Sequence, residues 1–292
     1  MGQDAIKGQS VSPYTGCCVI LTTKHQKSIA LAPPFENILG AGMLEYVVDT
    51  DQLGTFSGEI ERKGTALETV RKKCEWSLEK TKAEYALASE GSFGPHPMIS
   101  FIPSNREILY FIDKKRQFHL YVTDIYTETN YQMGEVTSLD ELKQFAEKAL
   151  FPSHALIVRP FSRGVKEPVF KGIETFVDLE AAFLGALRFS PNHKIWVETD
   201  MRAHLNPTRM RMIGSLGKKL AQRLTCLCPK CQTPGWGKVD IKTGLPCGWC
   251  GTETEEIKLE IFGCAKCLYK ESHLPAHGRE TAEPGQCPYC NP

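Results

Sequence analysis

Eight of the twelve cysteines lie near the end of the chain in four pairs, and two residues separate the members of each pair. Two thiolates at this spacing can bind one metal ion from a single turn, and two such pairs complete a tetrahedral zinc site. The pattern therefore predicts two structural Zn2+ ions, each held by four sulfur atoms. The predicted ligands are Cys228, Cys231, Cys247, Cys250, Cys264, Cys267, Cys287 and Cys290.

The four cysteine pairs can be divided between the two zinc sites in three ways. Sequential combination joins the first pair to the second and the third to the fourth, with residues 232–246 and 268–286 as intervening hairpins. Crossed combination joins the first pair to the third and the second to the fourth. Nested combination joins the first to the fourth. We favour the sequential arrangement, in which each site belongs to one zinc ribbon.

A second group of candidates follows the first apolar stretch of the chain. Thr22, Thr23, Lys24 and Lys27 lie where a short predicted strand ends in a polar turn. Hydroxyl groups, backbone N–H groups and ammonium groups at the end of a strand suit a phosphate. The alternative is an ordinary solvated loop.

Two further acids stand out beside basic or hydroxyl side chains. Glu68 and Lys73 lie on a helix predicted over residues 67–80, where they can hold a metal-bound phosphate chain or be two surface charges. Ser89 and Glu90 open a loop rich in glycine and proline at the end of an apolar strand. Burying Glu90 there is costly unless its carboxylate meets a metal ion or a base.

These three segments resemble the inosine triphosphate pyrophosphatase superfamily, enzymes that hydrolyse non-standard purine nucleoside triphosphates. Residues 21–27 are similar to the family's strand followed by A-T-x-N-x-x-K, with Lys24 in place of the asparagine. Glu68 and Lys73 keep the spacing of the family's E-N-A-x-x-K-A helix, and residues 89–91 correspond to its acidic turn. The resemblance covers residues 17–160 and implies Mg2+-assisted hydrolysis of a nucleotide.

The densest mixture of chemical groups occupies residues 198–209, between a predicted strand and a helix predicted over residues 207–224. Arg202 and Arg209 can clamp phosphate or carboxylate oxygens, because a guanidinium donates two parallel hydrogen bonds. Asp200 can orient His204 as a general base. Asn206 is a ligand candidate and also the predicted cap of the helix. The alternative is a salt-bridge network that docks the last α/β unit.

Longer motifs in the chain resemble a second, different family. Residues 21–25, 51–60, 88–97, 198–209 and the paired cysteines are similar to an uncharacterised bacterial family, domain of unknown function 6671. This resemblance covers nearly the whole chain from Gly16 and implies no assigned activity. It adds Asp51, Thr55 and Glu59 to the candidate site.

The secondary structure predicted around these residues alternates between strands and helices. A chain of 292 residues predicts two or three folding units. We expect an α/β fold with a mixed sheet and flanking helices, followed by a double zinc-ribbon module. The predicted units are a flexible extension (residues 1–15), an α/β domain (16–165), an additional α/β unit that completes the domain (166–225) and the zinc module (226–292).

Charge and hydropathy exclude several classes of function. The net charge is +1, so no global basic field favours nucleic acid or a membrane surface. The zinc region is slightly acidic, which makes nucleic-acid binding unlikely there as well. No apolar run is long enough to span a membrane, and the start of the chain lacks the apolar core of a signal peptide. Together with reduced, metal-binding cysteines, this predicts a cytoplasmic protein.

The leading functional hypothesis is a metal-dependent hydrolase, pyrophosphatase-like, that acts on a nucleotide or another phosphorylated small molecule. Lysines 24, 27 and 73 would hold phosphates, while Glu68 and Glu90, with Asp51, would bind Mg2+ and orient water. Arg202 and His204 would complete the site. The alternative is a non-catalytic ligand-sensing or adaptor protein whose zinc ribbons bind a protein partner.

Overall fold

The structure of the protein is a computed structural model that describes residues 12–48, 64–161, 167–190 and 192–292. Its first sheet has five strands in the order β2-β1-β3-β4-β5. β1 pairs in parallel with both β2 and β3, and β3, β4 and β5 form an antiparallel meander. The strands are β1 Cys18–Thr23, β2 Gly42–Val47, β3 Tyr85–Pro95, β4 Pro103–Asp113 and β5 Phe118–Tyr126.

Helices cover both faces of the first sheet. Helices α1 and α5 pack on the face that carries Leu21, Leu87 and Phe111, while α2 packs on the opposite face against Ala86 and Ala88. Because α1 follows β1 on one face and α2 precedes β3 on the other, the chain changes direction between β1 and β3. The ends of these two strands therefore border a topological switch point, where open α/β sheets bind ligands. The helices are α1 Ser28–Leu39, α2 Ala66–Thr81 and α5 Pro207–Thr225.

Helix α1 contains Pro33 and Pro34, and a proline inside a helix commonly breaks or kinks it. The helix instead runs unbroken, although each proline removes a backbone hydrogen bond. Close packing against α5 compensates, because Gly217 has no side chain and lets Leu31 and Pro34 approach it. A Cβ atom built on Gly217 would lie 2.7 Å from Leu31 Cδ2.

A second sheet has four antiparallel strands in the order β6-β9-β7-β8, with a core against α3 and α4. The pairing of β7 with β8 spans the boundary predicted at residue 165. Residues 200–206 connect β9 of the second sheet directly to α5. This segment therefore lies beside the switch point of the first sheet, where His204 stacks on His25. The elements are β6 Met133–Val136, α3 Leu139–Lys148, β7 Leu156–Pro160, β8 Phe170–Ile173, α4 Phe176–Leu187 and β9 Ile195–Thr199.

Side chains cap the starts of α3 and α5, and the cap predicted from the sequence at Asn206 is confirmed. The Ser138 hydroxyl accepts a hydrogen bond from the Glu141 N–H at the start of α3, and Asn206 Oδ1 accepts one from the Arg209 N–H at the start of α5. Side-chain caps of this kind satisfy backbone donors that have no partner inside the helix. The cap at Asn206 also fixes where Arg209 enters the protein interior.

The last 67 residues form a small third sheet with two cysteine clusters. Its antiparallel strands are β10 Gly237–Thr243, β11 Ile257–Gly263 and β12 Lys270–His273, in that order. The module docks on the first sheet, where Gly235 packs against Leu120 and Arg223 Nε donates to the Gly235 carbonyl at 3.0 Å. The α/β class and its five helices among the described residues agree with the sequence, whereas a pair of independent ribbons does not describe this module.

Candidate functional site

The switch point brings a lysine from the start of α1 to a serine of β3. The Nζ atom of Lys27 donates a hydrogen bond to Ser89 Oγ at 2.7 Å, and both side chains are buried. Successive residues of a strand face opposite sides of the sheet. Ser89 therefore faces the side of α1 and α5, as Leu87 does, while Glu90 faces α2.

On the α2 side, Lys73 Nζ contacts Glu90 Oε2 at 2.5 Å, and both side chains are nearly inaccessible to solvent. The Thr22 hydroxyl donates to the backbone carbonyl of Lys73 at 2.9 Å, which ties the end of β1 to α2. The cost of burying Glu90, which the sequence predicted would require a metal ion or a base, is thus offset by a lysine.

The deepest ion pair joins Arg209 of α5 to Glu107 of β4. Arg209 Nε donates to Glu107 Oε1 at 2.7 Å, and both side chains are fully buried. The guanidinium also donates to the Met201 carbonyl and lies over the Phe93 ring. Gly91, opposite Glu107 in the β3–β4 register, leaves the space that this pair occupies.

Asp200 is fully buried and binds Arg202 in addition to the backbone. Its Oδ1 accepts from Arg202 Nε at 3.0 Å, and its Oδ2 accepts from the Gly172 N–H at 3.1 Å. The carboxylate predicted to orient His204 therefore accepts from a neighbouring guanidinium. The Arg202 side chain is 30% exposed, so this cation stands at the outer side of the cluster.

Two imidazoles stack beside these ion pairs. The rings of His25 and His204 lie 5.0 Å apart at an angle of 21°. Burial, together with the charges of Lys27, His204, Arg209 and Arg202, lowers the pKa of His25 to about 2. Burial and the charge of Arg202 lower the pKa of His204 as well. Both rings are therefore neutral at physiological pH and can donate or accept hydrogen bonds.

The pKa of Lys27 is also lowered by its surroundings. Burial and the positive charges of Arg209 and Lys73 lower its pKa to about 7, against the opposite effect of Glu107 and Glu90. Near neutral pH its amine therefore exchanges between charged and neutral forms, as an acid–base group requires. The cluster as a whole holds four cationic side chains and three carboxylates. The cationic ones are Lys27, Lys73, Arg202 and Arg209.

The remaining predicted residues lie at the edge of the cluster or away from it. Thr23 Oγ1 accepts from the His25 N–H, and Lys24 is exposed in the same turn. The Asn206 amide caps α5 and donates to Asn130 Oδ1. Glu68 is exposed and completes a capping box with Thr65 at the start of α2.

Asp51, Thr55 and Glu59 lie outside the described residues. Sequence reasoning did not select Glu107 or His25. A signal existed for Glu107, because a lone acid precedes the apolar run of residues 108–112 and a buried charge needs a partner. For His25 the only signal was its position between Lys24 and Lys27.

The described carboxylates of the cluster do not fit Mg2+. Glu90, Glu107 and Asp200 each contact a lysine or an arginine, whereas a carboxylate that binds Mg2+ must turn an oxygen to the ion in an octahedral shell of oxygen ligands. In the described parts of the chain, the groups of three or more potential ligands that come together are cysteines. The Mg2+ role expected for Glu90 and Glu68 therefore receives no support from the contacts of these two side chains.

The eight paired cysteines form two groups, and the four sulfur atoms of each lie within 4.8 Å of one another. Sulfur–sulfur distances between pairs are 3.6 and 3.7 Å in one group and 3.6 and 3.9 Å in the other. Zn–S bonds of about 2.3 Å place tetrahedral sulfur ligands roughly 3.8 Å apart. Both groups fit Zn2+. The first is Cys228, Cys231, Cys264 and Cys267; the second is Cys247, Cys250, Cys287 and Cys290.

The pairing is therefore crossed, and the sequential arrangement favoured by the sequence is wrong. The reason lies in the alternating strand directions of the third sheet. Gly237 at the start of β10 lies opposite Gly263 at the end of β11, so the first and third pairs meet at one end of the sheet. Thr243 and Ile257 mark the other end, which holds the second pair. The strand β12 runs back towards that end and brings the fourth pair to it.

Neighbouring groups support the thiolate form that zinc binds. Hydrogen bonds from Thr233 lower the pKa of Cys231 to about 6, and hydrogen bonds from Thr252 lower the pKa of Cys250 to about 6. Burial raises the pKa of Cys264 to about 12, and the hydrogen bond that its sulfur accepts from the Lys266 N–H at 3.3 Å acts in the opposite direction. Such contacts orient the ligands and stabilise their negative charge. Each site holds four sulfur ligands, which leaves no open position for catalysis at the metal.

Comparisons with known proteins assign no reaction to this chain. The chain matches no curated protein. A family model, described as a domain of unknown function (DUF6671), matches residues 73–292. This match covers most of the chain and includes the part of α2 from Lys73 onward, the β3–β4 hairpin, the segment before α5 and every paired cysteine. The protein therefore belongs to the family of the domain of unknown function DUF6671.

Proposed function

We propose that the switch-point cluster binds a phosphorylated small molecule, such as a nucleotide, and that the protein hydrolyses its phosphate linkage as a pyrophosphatase-like enzyme. The observation that carries this proposal is the crowding of four cations around three carboxylates at the end of β1 and β3. A phosphate would supply the negative charge that this group of side chains lacks.

The state of Lys27 supports an anionic ligand. Its positive neighbours and its burial disfavour the ammonium form. A phosphate beside Nζ would favour the ammonium form again, because an opposite charge nearby raises the pKa of an amine. Binding at pH 8 should therefore be accompanied by proton uptake.

Aromatic side chains beside Arg209 support a nucleotide in particular. The Phe93 and Tyr131 rings lie 5.6 Å apart, and the Arg209 guanidinium lies 5.1 Å from the centre of the Phe93 ring. Both rings are partly exposed. A purine or pyrimidine base stacks well on such surfaces, since its face is flat and apolar.

The zinc module has a structural role in this proposal. Its thiolates require a reducing environment, which is consistent with the cytoplasm. None of the helices among the described residues has the length and apolar character needed to cross a membrane. The module contacts β5 through Gly235, and in doing so it supports the sheet that carries the cluster.

A second candidate is a non-catalytic ligand sensor or adaptor that uses its zinc module to bind a protein partner. Two exposed aromatic residues at the second zinc site favour it. Trp249 and Tyr289 lie inside the second and fourth cysteine pairs and are 81% and 75% exposed. Exposed Trp and Tyr side chains are common anchors of protein interfaces.

A substrate screen with paired variants separates the two candidates. Purified protein is incubated with nucleoside triphosphates, with and without Mg2+, and phosphate release and binding heat are measured. We expect turnover of at least one nucleotide, and we expect Lys73→Met to weaken its binding at least tenfold because one buried phosphate partner is lost.

Lys72→Met is the matched control, since Lys72 is the neighbouring lysine on the exposed face of α2. Its binding and turnover should equal those of the unmodified protein. Nucleotide binding without turnover would support the sensor. Absence of both binding and turnover for every nucleotide would contradict the phosphate site.

A further inference from the structure

Lys27 differs from the other three cations of the cluster in its hydrogen-bond partner. Lys73, Arg202 and Arg209 each contact a carboxylate. The Lys27 ammonium instead donates to the hydroxyl of Ser89 at 2.7 Å. A buried lysine that contacts a serine hydroxyl instead of a carboxylate can act as a general base. The serine beside it can then act as a nucleophile.

We propose that Ser89 is the nucleophile of this site and that Lys27 is the general base that activates it. The proposal rests on the hydrolysis proposed above and names the residues that perform it. It also explains how phosphate chemistry can proceed where the described carboxylates do not fit Mg2+.

The surroundings of Lys27 suit this role. Arg209 of α5 and Lys73 of α2 face it with positive charges, and His25 lies in the same turn. Glu107 of β4 and Glu90 of β3 act in the opposite direction. In the free protein, the balance of these charges with burial gives a pKa of about 7. A bound phosphate raises the pKa of Lys27, so in the complex the neutral amine that accepts the Ser89 proton is a minority form whose fraction grows with pH.

The chemistry balances with water as the only second reactant. The Ser89 oxygen forms a bond to phosphorus while its proton moves to Lys27 Nζ, and the bond between phosphorus and the leaving oxygen breaks. The Lys27 ammonium then gives its proton to that oxygen. In the second half, Lys27 takes a proton from water, the hydroxide oxygen bonds to phosphorus, and the Ser89 oxygen leaves and regains the proton.

The neighbouring cations can stabilise the negative charge that develops on the phosphoryl oxygens. Lys73 and Arg202 are tethered by carboxylates, and Arg209 is fixed by Glu107, so these charges are already oriented before the reaction. Fixed positive charges in a buried site stabilise a transition state because they need little reorganisation.

Ser89 lies just past the parallel part of the sheet. Ala88 is the last β3 residue that pairs with β1, so Ser89 is the first residue beyond the parallel pairing. Ser89 is 2% exposed. Reaction therefore requires that a phosphoryl group reach this buried hydroxyl, and a covalent probe tests whether it does.

The test uses a fluorophosphonate, which forms a bond between phosphorus and an activated serine oxygen while fluoride leaves. The full-length, zinc-loaded protein is treated between pH 5.5 and pH 9, and the adduct is located by peptide mass spectrometry. We expect labelling at Ser89, with a rate that rises with pH around an apparent pKa of about 7.

Two substitutions of the base sharpen this result. Lys27→Met removes the base, and Lys27→Arg keeps the positive charge but cannot lose its proton near neutral pH. Both should slow labelling by about 10²–10⁴-fold, as loss of a general base does. Lys72→Met should label at the original rate. Labelling of Ser89 in the two Lys27 variants at the rate of the unmodified protein, or no adduct at Ser89 at pH 9, would overturn the proposal.

The same variants separate this proposal from the hydrolase proposal. Turnover of a nucleotide that survives Ser89→Ala, in a protein with unchanged circular dichroism, would refute the nucleophile and leave the hydrolase intact. Labelling of Ser89 that depends on Lys27, without turnover of any nucleotide, would support the pair and refute the nucleotide substrate. Ser89→Cys provides a second variant, because a thiol retains nucleophilic character and should still be modified.

Discussion

The zinc module and the switch-point cluster use chemically active side chains in opposite ways. The zinc ligands come from one stretch of 63 residues and bind in pairs set by local turns. The cluster collects Lys27, Lys73, Glu90, Glu107 and Arg209 from four helices and strands and the turn before α1. In the module, coordination of the metal would hold the chain in its fold. In the cluster, the hydrophobic core of the first sheet holds the charged side chains in place.

The buried apolar residues of the two regions show this difference. Within residues 226–292, the buried apolar side chains other than cysteines and prolines are Leu245 and Ala282. The first sheet has a continuous core that includes Leu21, Phe35 and Phe111. A module with so little apolar burial depends on metal coordination for its stability.

Zinc removal should therefore produce the largest effect. A chelator should unfold residues 226–292 while the first two sheets keep their protection, because structural Zn2+ contributes about 10–16 kcal/mol in small zinc domains. Hydrogen exchange with mass spectrometry measures both regions in one experiment. Equal loss of protection in the module and the first sheet would show that the two regions fold as one unit.

Paired substitutions extend this prediction to the crossed pairing. Native mass spectrometry should find one Zn2+ in Cys228→Ser/Cys264→Ser, whose changes fall in one site, and none in Cys228→Ser/Cys247→Ser, whose changes fall in both. Sequential pairing predicts the reverse, and nested pairing predicts no Zn2+ in either. Cys226→Ser is the control and should keep both ions, because Cys226 lies outside both groups.

The second effect concerns the fully buried Arg209–Glu107 pair. Arg209→Met leaves the Glu107 carboxylate without its partner in the protein interior, which should cost about 3–5 kcal/mol of unfolding free energy. Urea denaturation measures this loss. The control is Arg71→Met, because the Arg71–Glu75 pair is 57% and 44% exposed and should contribute about 0–1 kcal/mol. A loss at Arg209 as small as the loss at Arg71 would mean that the interior accommodates the charge.

The same contrast explains what could be predicted from the sequence. The zinc ligands could be predicted because Cys-x-x-Cys spacing is local, and the family match includes all of them. Their pairing could not, because it depends on the antiparallel register of β10, β11 and β12. Local spacing identifies ligands, while topology decides which of them meet.

The cluster shows the corresponding limit for charged residues. Lys27, Ser89 and Glu90 end or flank strands of the predicted α/β pattern, and Lys73 lies on a predicted helix. The structure joins Lys27 to Ser89 and Lys73 to Glu90. Glu107 was not selected as a candidate, because only the pairing of β4 with β3 places its carboxylate beside the cluster. The position of Glu68 has an explanation that needs no ligand, because a glutamate three residues after a threonine forms a capping box at the start of a helix.

The smallest of the three effects tests how tightly β3 surrounds the buried pair. A Cβ atom at Gly91 would lie 2.7 Å from Glu107 Oε1 and would also crowd Arg209. Because both partners are fixed by hydrogen bonds, Gly91→Ala should destabilise the protein by about 1–3 kcal/mol, as overpacking of a core does. The control is Gly94→Ala on the same strand, where a Cβ atom meets nothing within 4 Å.

A double-mutant cycle assigns the cause of the Gly91 effect. If the methyl group acts by displacing the ion pair, Gly91→Ala should cost much less in an Arg209→Met background, since residues in contact are not additive. Urea midpoints of the four proteins give the coupling free energy. An equal cost in both backgrounds would place the strain in the β3 backbone rather than in the pair. Tight coupling would mean that the cluster tolerates no added methyl group, whereas the exposed loops of the zinc module should accept one.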